Sequence, residues 1–388
     1  MSPMRFAVDA HALGRHLTGN ETYVRNLLRA FSEIDRDSDF LAYISEPSAE
    51  ALVPERFDVR RVASSPYARL GWDIPGRLRT DKVDLLHVQY TAPVLCNVPV
   101  VVTVHDVSYL QHPEYFTFGR RTQLRCTVAY TIRKAAAVLT VSEFSKESIL
   151  REYNIPSEKI HVVPNASSSD FRVVGREKAV AAARKILGFQ QPFVLTVGDL
   201  QPRKNHVALI GAFANLVAAH PQLPHKLVLV GKDTWFAPKV REAAQNSGVA
   251  DRIHFAGFVS DADLVSLYNA CDCFIFPSLY EGFGLPIIEA MACGRAVACS
   301  DTSAMPEVAD GAGLLFDPRS EDAMLRAMAD ILRDSELRGR MERLAVQRAS
   351  LFSWQRSAKA TLDVYKQVVE ESGRVTSVPV QAAITRNP

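Results

Sequence analysis

Short apolar runs alternate with segments of helical periodicity over most of the chain. The runs have the length of buried strands, and several are rich in β-branched residues. In chain order they are RFAVDA at 5–10, DLLHV at 84–88, PVVVTVH at 99–105, AVLTV at 137–141, IHVVP at 160–164, FVLTVG at 193–198, KLVLVG at 226–231, RIHFA at 252–256, CFIFP at 273–277 and AVACS at 296–300. This alternation predicts an α/β protein in which parallel sheets are wrapped by helices.

A polar connection divides these elements into two groups. The segment VVPNASSSDFRVVGRE at 162–177 combines Pro, Asn, Ser and Gly, which is typical of a link rather than of a helix or strand. We therefore predict two doubly wound domains, residues 1–170 and residues 171–354. The amphipathic stretch of about 355–388 is predicted to form a helix that packs back and joins the first domain.

Helices are predicted between the runs of the first domain, at 22–32, 116–134 and 143–152. The last of these has a capping signal. Ser142 stands directly before EFSKESIL, and its hydroxyl can accept a hydrogen bond from the first amides of the helix.

Charge and cysteine content narrow the classes of function. Lys and Arg number 45 against 43 Asp and Glu, so the formal net charge of the 388 residues is +2. Such a balance favours no nucleic acid partner, and any anion site must be local. The apolar runs are shorter than the roughly 18 residues of a membrane helix, and Arg5 and Asp9 interrupt the start before a signal peptide can form. Six cysteines without a C-x-x-C pair favour free thiols in a reducing cytoplasm.

Candidate ligand-binding residues lie just after predicted strands, where parallel sheets bind ligands. In VGDLQPRKNH at 197–206 a strand ends at Gly198, and Arg203 and Lys204 open the next helix. Two cations at a helix N-terminus oppose the helix dipole unless an anion lies nearby. An Arg–Lys pair suits phosphate oxygens. A solvated basic turn is the alternative that this stretch alone leaves open.

Two further strand-end signals are weaker. HLTGNETYVRNLL at 16–28 places Gly19 just before a predicted helix start, where backbone amides can approach a phosphate closely. VVVTVHD at 100–106 places His105 and Asp106 at the end of a strand, facing the predicted cleft between the domains. A histidine in that position is more often structural unless other site residues converge on it.

The stretch SLYEGFGLPIIEAMACG carries two carboxylates in an apolar neighbourhood. Glu281 lies on a glycine loop after a strand, and Glu289 lies on the helix predicted to follow. Carboxylates accept hydrogen bonds from vicinal hydroxyls, so the pair suits a sugar or a ribose. Amides at the helix start face the same ligand, those of Phe283, Gly284 and Leu285. The alternative is two solvated carboxylates, but a desolvated Glu289 requires a ligand or a cation nearby.

Together these motifs resemble the retaining glycosyltransferases of family 4. The resemblance is carried by SLYEGFGLPIIEAMACGRAVACSD, VGDLQPRKN, VLTVSEFSK and AGLLFDP, and it extends from TGNETYVRNLL to FSWQRSAKATLDVY. It implies the GT-B fold, in which two Rossmann-like domains face each other across a cleft. It also implies that the first domain holds the acceptor and the second holds a nucleotide-sugar donor.

The resemblance implies roles for individual residues. Glu281 would contact hydroxyls of the donor sugar beside the amides of Phe283 and Gly284. His105 would lie by the transferred sugar, and Glu289 would bind the ribose diol. The diphosphate would be held by Gly19, Arg203 and Lys204.

The implied reaction retains the anomeric configuration by front-face attack, in which the departing phosphate oxygen takes the acceptor proton. The chain departs from the family at Asp199, where many relatives have an arginine, so Arg203 takes the place of that diphosphate cation. The sequence DAD at 261–263 is superficially like a metal-binding pair of aspartates, but Ser260 and Asp263 fit a capping box. Because fixed cations and amides already offset the charge of the leaving group, neither a metal nor a cofactor is predicted.

The leading hypothesis is a glycosyltransferase that moves a hexose to a glycan or lipid-linked acceptor in surface polysaccharide synthesis. The resemblance favours mannose from GDP-mannose. A GT-B epimerase of nucleotide sugars and a non-catalytic sugar-nucleotide-binding protein are the alternatives. The basic segment 116–134 is either a plain solvated helix face or a peripheral contact with an anionic membrane, at about 1 kcal/mol per basic residue. The predicted location is cytoplasmic, with the inner membrane face as the site of such a contact.

Overall fold

The computed structural model describes residues 3–15 and 18–376. Within that part of the chain, the strands form two wholly parallel sheets with the orders β3-β2-β1-β4-β5-β6-β7 and β10-β9-β8-β11-β12-β13. Their bounds are β1 Arg5–Asp9, β2 Asp39–Ile44, β3 Asp58–Arg61, β4 Leu85–Gln89, β5 Val100–Thr103, β6 Ala137–Thr140, β7 Ile160–Val162, β8 Phe193–Val197, β9 Lys226–Val230, β10 Ile253–Gly257, β11 Cys273–Phe276, β12 Val297–Ser300 and β13 Gly313–Phe316.

Helices cover both faces of each sheet. They are α1 Thr18–Ile34, α2 Pro66–Ala68, α3 Ile74–Thr80, α4 Ser108–Gln111, α5 Phe118–Lys134, α6 Glu143–Tyr153, α7 Arg176–Leu187, α8 His206–Ala219, α9 Ala237–Asn246, α10 Asp261–Ala270, α11 Leu285–Ala292, α12 Met305–Ala309, α13 Glu321–Arg333, α14 Ser335–Ala349 and α15 Trp354–Thr376. A π-helical turn, Arg69–Asp73, joins α2 to α3, and short 3-10 turns include Pro202–Lys204.

The predicted fold class, two doubly wound parallel-sheet domains, is confirmed. The central strands are buried on both faces, as parallel strands between helix layers must be. In β1, for example, Phe6 and Val8 belong to one core and Ala7 to the core on the other side of the sheet. The same alternation places Phe274 of β11 in one core of the second sheet and Ile275 in the other.

Every run predicted as a strand corresponds to a strand, but β2, β3 and β13 were not predicted. β3 and β13 lie at the edges of their sheets and are partly exposed. Their sequences, DVRR and GLLF, are therefore too polar or too short to stand out as buried runs. β2 is buried, but its first residue, Asp39, is the last residue of the charged stretch EIDRDSD, which obscures the start of the strand.

The three predicted helices are present; α6 begins at Glu143 as predicted, and the other two have shifted starts. The first begins at Thr18 rather than at residue 22, and the second begins at Phe118, where the side chain of Thr117 caps the Arg120 amide. The predicted cap of α6 is confirmed, because Ser142 Oγ accepts from the amide of Ser145 at 3.0 Å.

The final helix returns to the first sheet. α15 packs along α1, and its apolar face shares a core with Phe6 and Tyr23 through Trp354, Ala358, Leu362 and Tyr365. α15 lies within the stretch predicted to form the returning C-terminal helix. The part of that predicted helix after residue 376 lies outside the described residues.

Candidate active site

The two sheets meet at their carboxyl edges. In the second sheet the strand order reverses between β8 and β11, and in the first it reverses between β1 and β4. Ligands of doubly wound sheets bind at such reversal points, outside the carboxyl ends of the strands. Arg203 and Lys204 follow β8 and Glu281 follows β11, so the second reversal point carries the predicted cations and the predicted carboxylate.

Hydrogen bonds hold the loop after β11 against the first domain. The carbonyl oxygen of Gly282 accepts from Ser142 Oγ at 2.6 Å and from Ser145 Oγ at 3.2 Å. Ser145 Oγ also lies 3.0 Å from the carbonyl oxygen of His105. These contacts bring His105 and the loop that carries Glu281 to the same place, although 176 residues of sequence separate them (281 − 105).

Glu281 is paired with both predicted cations. Its Oε1 lies 2.5 Å from Arg203 Nη1 and 2.6 Å from Lys204 Nζ. Lys204 is 8% exposed and Glu281 is 9% exposed, so this is a desolvated cluster rather than the solvated basic turn considered above. Burial raises the pKa of Glu281, but the charges of Arg203 and Lys204 outweigh it and hold that pKa at about 2.

The backbone fixes this cluster from two sides. The amide of Leu279 donates to the carbonyl oxygen of Arg203 at 2.7 Å, which ties the loop after β11 to the turn Pro202–Lys204. The amide of Glu281 donates to Ser303 Oγ at 3.0 Å. The positions of the carboxylate and of the two cations are therefore set by the fold as well as by their mutual attraction.

Glu289 is buried on α11, not solvated. Its Oε2 accepts from the hydroxyl of Tyr268 at 3.0 Å, and Glu289 as a whole is 8% exposed. Burial raises the pKa of Glu289 to about 7. Close by, Arg25 of α1 and Asp261 of α10 form an ion pair of 2.7 Å across the domain boundary, and the Asp261 charge raises the pKa of Glu289 while the Arg25 charge lowers it.

The predicted amides lie at the start of α11. Gly284 is the residue before the helix and has a left-handed backbone, with φ of 99°. The ring of Phe283 packs into the core of the second domain. Leu285 begins the helix, so the positive end of the helix dipole follows the loop that carries Glu281.

Gly19 lies in a different setting from the predicted one. It was expected just before a helix, but α1 begins at Thr18, so Gly19 belongs to the first turn. The residue is exposed, and a Cβ placed on it would meet nothing within 4 Å. The described protein atoms therefore place no steric demand for glycine at this position.

His105 is held by aromatic and amide neighbours. Its Nε2 lies 2.9 Å from Gln89 Oε1, and its ring meets the ring of Tyr23 edge-on, with centroids 4.7 Å apart. Burial lowers the pKa of His105 to about 4, so the imidazole is neutral near pH 7. The adjacent Asp106 accepts from the amide and hydroxyl of Ser108, at 2.9 and 2.6 Å.

Sequence reasoning missed Tyr90, which belongs to the same region. It follows β4 directly, its backbone φ is +59°, and its ring lies 5.6 Å from that of His105. Positive φ at a bulky residue stores strain and is concentrated at functional sites. Burial and the Asp106 charge raise the pKa of Tyr90 well above its usual value. Its position just after the predicted strand 84–88 is the signal that could have found it.

The other sequence candidates have structural partners. The side chain of Asp199 accepts from the amide of Lys232 at 3.0 Å and so fastens the ends of β8 and β9. Ser260 Oγ accepts from the amide of Asp263 at 3.1 Å, which confirms the predicted cap of α10.

Among the described residues, no group of three or more His, Cys, Asp or Glu side chains is arranged to hold a metal ion. In the same residues, no helix is long and apolar enough to cross a bilayer.

Comparison with known proteins agrees with this architecture. The family model of the group 1 glycosyl transferases matches residues 181–348, and that of glycosyltransferase family 4 matches residues 17–170. O-antigen chain mannosyltransferase B of Escherichia coli is 33% identical over 266 residues, 69% of this chain and 70% of that protein. Serotype-specific mannosyltransferase WbdA of Escherichia coli is 29% identical over 65% of this chain, a match that spans 31% of that protein.

A solved structure shares the whole fold. The structure of Anabaena Alr3699/HepE in complex with UDP and glucose has a TM-score of 0.76 to this chain at 20% identity, and the match covers 94% of this chain and 100% of that one. The two facing sheets, the family models over both halves and the relative at 33% identity lead to one conclusion. The chain belongs to glycosyltransferase family 4 and is a glycosyltransferase of the GT-B fold.

Proposed function

We propose that this glycosyltransferase moves a hexose, mannose, from a nucleotide diphosphate sugar to a glycan or lipid-linked acceptor in surface polysaccharide synthesis. The observation that carries the proposal is the convergence of Glu281, Arg203 and Lys204 on the loop that touches His105. Mannose is supported by relatives that are named mannosyltransferases, and GDP-mannose is accordingly the proposed donor.

The charges around Glu281 suit a sugar diphosphate. Arg203 and Lys204 carry two positive charges and Glu281 one negative charge, which leaves one net positive charge for an anionic ligand. At an effective dielectric of 20 and a distance of 4 Å, each cation attracts a unit negative charge by about 4 kcal/mol. The guanidinium can fork onto two phosphate oxygens, while the ammonium acts as a point charge.

The remaining donor groups have matching partners. Glu281 and the amides of Phe283, Gly284 and Leu285 would hold the hydroxyls of the hexose. Glu289 would accept from the ribose diol, an interaction that also explains why a carboxylate is buried there beside a single hydroxyl donor from Tyr268. The first-turn amides of α1 around Gly19 would approach the diphosphate from the first domain.

The proposed chemistry retains the anomeric configuration. The acceptor hydroxyl attacks the anomeric carbon from the face that the diphosphate leaves, the bond between that carbon and the phosphate oxygen breaks, and the acceptor proton passes to the departing oxygen. Arg203 and Lys204 stabilise the charge that develops on the diphosphate. His105, neutral near pH 7, would lie beside the sugar as a hydrogen-bonding group rather than as a cation.

No metal or cofactor has a role in this proposal, because the fixed cations supply the stabilisation of the leaving group. A transfer assay in EDTA tests the point. Full activity in EDTA is expected. A large loss that added Mg²⁺ restores would contradict it.

A panel of nucleotide sugars tests the donor. Thermal unfolding is followed with GDP-mannose, GDP, UDP-glucose and UDP, and a ligand at 100 times its dissociation constant stabilises the fold by about 2.7 kcal/mol. GDP-mannose is expected to give the largest shift, which Lys204→Met should abolish and Lys359→Met, on the exposed side of α15, should not. Stabilisation by UDP-glucose alone would overturn the proposed donor.

Product analysis tests the reaction class. Radiolabelled GDP-mannose is incubated with and without a mannosylated lipid acceptor, and transfer is expected only with the acceptor present. Conversion of the donor to another nucleotide sugar without an acceptor would identify an epimerase instead. Tight donor binding with no turnover under either condition would identify a binding protein.

We also propose that the first domain touches an anionic membrane through α5 and the loop before β5. Phe118 is 82% exposed, and Val94 and Leu95 of the loop are 66% and 65% exposed. The hydroxyl of Tyr130 donates to the carbonyl oxygen of Val94 at 3.0 Å and so holds this loop on α5. Exposed basic residues share the helix, namely Arg120, Arg125, Arg133 and Lys134.

Flotation with liposomes tests the membrane contact. The protein is expected to float with vesicles containing phosphatidylglycerol and to stay behind with pure phosphatidylcholine, because basic residues add about 1 kcal/mol each near an anionic surface. The double change Leu95→Ser with Phe118→Ser should abolish flotation, whereas Trp235→Ser, an exposed aromatic of the second domain, should not. Absence of flotation with anionic vesicles would end the proposal.

A further inference from the structure

The final helix packs on the first domain close to His105, with one residue, Tyr23, between them. α15 follows α14 of the second domain, yet it contributes Trp354 and Tyr365 to the core of the first. The ring of Trp354 meets the ring of Tyr23 with centroids 5.9 Å apart. Tyr23 in turn carries the ring that contacts His105.

A buried chain of hydrogen bonds makes a second connection between α15 and Tyr23. The hydroxyl of Tyr365 lies 2.5 Å from His87 Nδ1, and His87 Nε2 lies 2.7 Å from Thr103 Oγ1. Thr103 Oγ1 lies 2.9 Å from the hydroxyl of Tyr23. None of these four residues is more than 2% exposed, so water does not compete for the bonds.

The protons in this chain can be counted. Burial and the nearby His105 lower the pKa of His87 to about 3, so His87 is neutral and has one N–H donor and one acceptor nitrogen. If Tyr365 donates to Nδ1, then Nε2 donates to Thr103, whose hydroxyl can donate to Tyr23 or accept from it. If Nδ1 donates instead, Nε2 accepts from Thr103, and Thr103 accepts from Tyr23. In both arrangements each member is paired, and the hydroxyl of Tyr23 is fixed.

Tyr23 is thereby held at both ends. Its hydroxyl is bound by Thr103, and its ring packs between Trp354 and His105. Tyr23 packs against the imidazole of His105, and Gln89 Oε1 lies at its Nε2, where an Nε2–H can donate to that oxygen.

We propose that Tyr365 and Tyr23 are positioning residues that hold His105 in the orientation in which its Nε2 meets Gln89, so that the docking of α15 on the first domain shapes the active site. The consequence of that orientation for transfer rests on the proposed function of His105. The orientation itself does not, and it can be measured in the protein without substrate.

The test uses single hydroxyl deletions in the full chain. Tyr365→Phe keeps the ring that packs against Phe6, with centroids 5.1 Å apart, and removes the bond to His87. Tyr23→Phe breaks the chain at its other end, so the test remains valid if either variant is poorly folded. Tyr43→Phe is the matched control, because Tyr43 is equally buried but lies on the other face of the same sheet and binds Asp81.

The first readout is the imidazole nitrogen resonances of His105 in the free protein, assigned with His105→Gln. Wild type and Tyr43→Phe are expected to show a single Nε2–H tautomer. Tyr365→Phe and Tyr23→Phe are expected to show mixed tautomers or shifted resonances. Identical His105 signals in Tyr365→Phe and wild type would overturn the proposal.

The second readout is steady-state transfer. Both deletions are expected to lower kcat about tenfold, within the roughly hundredfold that a misplacement of 1 Å costs, while the KM for the donor changes by less than about twofold. If His105→Ala leaves transfer intact while the resonances still move, the coupling stands and the catalytic role of His105 falls. Unchanged kcat in both deletions, together with unchanged resonances, would end the inference.

Discussion

Gly282 of the second domain lies directly against the backbone carbonyl of His105 in the first. A Cβ built on Gly282 would stand 2.1 Å from that oxygen and 3.1 Å from the Cβ of Asp106. Both obstacles are held in place, since the His105 carbonyl accepts from Ser145 and the Asp106 carboxylate accepts from Ser108. Glycine at this position is therefore required by the contact between the domains and not by its own backbone conformation.

Gly282→Ala is expected to separate the domains at the active site. Because neither neighbour can move by an ångström without breaking hydrogen bonds, the loop that carries Glu281 must retreat from His105. We expect kcat/KM to fall by about a hundredfold or more, as for other misplacements of about 1 Å. Donor binding should change much less, because Arg203, Lys204 and Glu289 all lie in the second domain. Kinetics and calorimetric titration with the donor measure the two effects.

Gly339→Ala is the control for that substitution. It lies inside α14, where the nearest atom to an added Cβ is Arg343 Nη1 at 3.7 Å. Alanine there should stabilise the helix by about 0.5 to 1 kcal/mol and leave transfer unchanged. Small-angle scattering should show a more open molecule for Gly282→Ala only. A Gly282→Ala enzyme with wild-type kinetics would show that the domains do not meet at His105 during catalysis.

The parts of this site that could be predicted are those with a local signal. Ser142 before EFSKESIL predicted a cap, and the apolar setting of Glu289 predicted a buried carboxylate. Both features depend on residues that are close in sequence, so a short stretch is enough to predict them. Arg203 and Lys204 were expected to need an anion. In the structure Glu281, 77 residues further along the chain, is their anion.

Long-range packing could not be predicted in the same way. Tyr365 and His87 are 278 residues apart, and no periodicity or motif links them. The strained backbone of Tyr90 is likewise set by the ends of β4 and β5, where its amide donates to the Thr103 carbonyl at 3.0 Å. The start of α1 was misplaced because Thr18 and Gly19 are poor helix formers that occupy its first turn.

Glu281→Gln should destabilise the fold above about pH 4.5 and matter less in acid. The folded pKa of about 2 lies below the ordinary value of 4.5, so the carboxylate contributes stability that is present above 4.5 and is lost as the pH falls toward 2. A shift of that size corresponds to about 3 kcal/mol at neutral pH. Urea denaturation at neutral pH and near pH 3 should show the difference from wild type shrinking by more than half.

Asp363→Asn serves as the control for Glu281→Gln. Asp363 pairs with Lys359 on the exposed face of α15, with 61% of its side chain exposed. Its loss should change the free energy of unfolding by less than about 1 kcal/mol. Equal effects of the two substitutions would mean that the Glu281 cluster is solvated and is not the desolvated ion pair described above.

Glu289→Gln should change the free energy of unfolding in the opposite direction to Glu281→Gln. The folded pKa of about 7 lies above the ordinary value of 4.5, so the protonated form stabilises the fold below 4.5 and that stability is lost as the pH rises through 7. The amide stays neutral, so the variant should be more stable than wild type by up to about 3 kcal/mol near pH 8 and equal to it near pH 4.5. Thermal unfolding across this range measures how the difference in stability grows with pH.

The same carboxylate should release a proton when the donor binds. If the ribose diol donates to ionised Glu289, titration near pH 6 should release up to about one proton, detected as a dependence of the binding enthalpy on the buffer. Glu289→Gln should bind the donor more weakly and release none. Tyr268→Phe, which removes the hydroxyl bound at 3.0 Å, should raise the pKa further and release more. No proton release by wild type would remove Glu289 from the ribose site.

Glu307→Ala should loosen the closed arrangement of the domains without touching the donor. The carboxylate of Glu307, on α12 of the second domain, accepts from the amides of Glu143 and Phe144 at 3.0 and 3.2 Å. These amides open α6 of the first domain, so one domain supplies a cap for a helix of the other. Removal of a cap costs about 0.5 to 2 kcal/mol, which here corresponds to a loss of roughly 2-fold to 30-fold in the closed population.

Transfer should fall by the same factor, because the closed arrangement brings His105 to Glu281, while the affinity for the donor should stay near that of wild type. Fluorescence energy transfer between dyes on the two domains measures the closed population directly. Glu342→Gln, which breaks an ion pair with Arg295 inside the second domain, should alter neither quantity. The Glu307 carboxylate is also attracted to the positive end of the α6 dipole. Because salt screens this attraction, added salt should narrow the difference in closed population between Glu307→Ala and wild type. An unchanged closed population in Glu307→Ala would leave the hydroxyls of Ser142 and Ser145, bound to Gly282, and the Arg25–Asp261 ion pair as contacts that hold the two domains together.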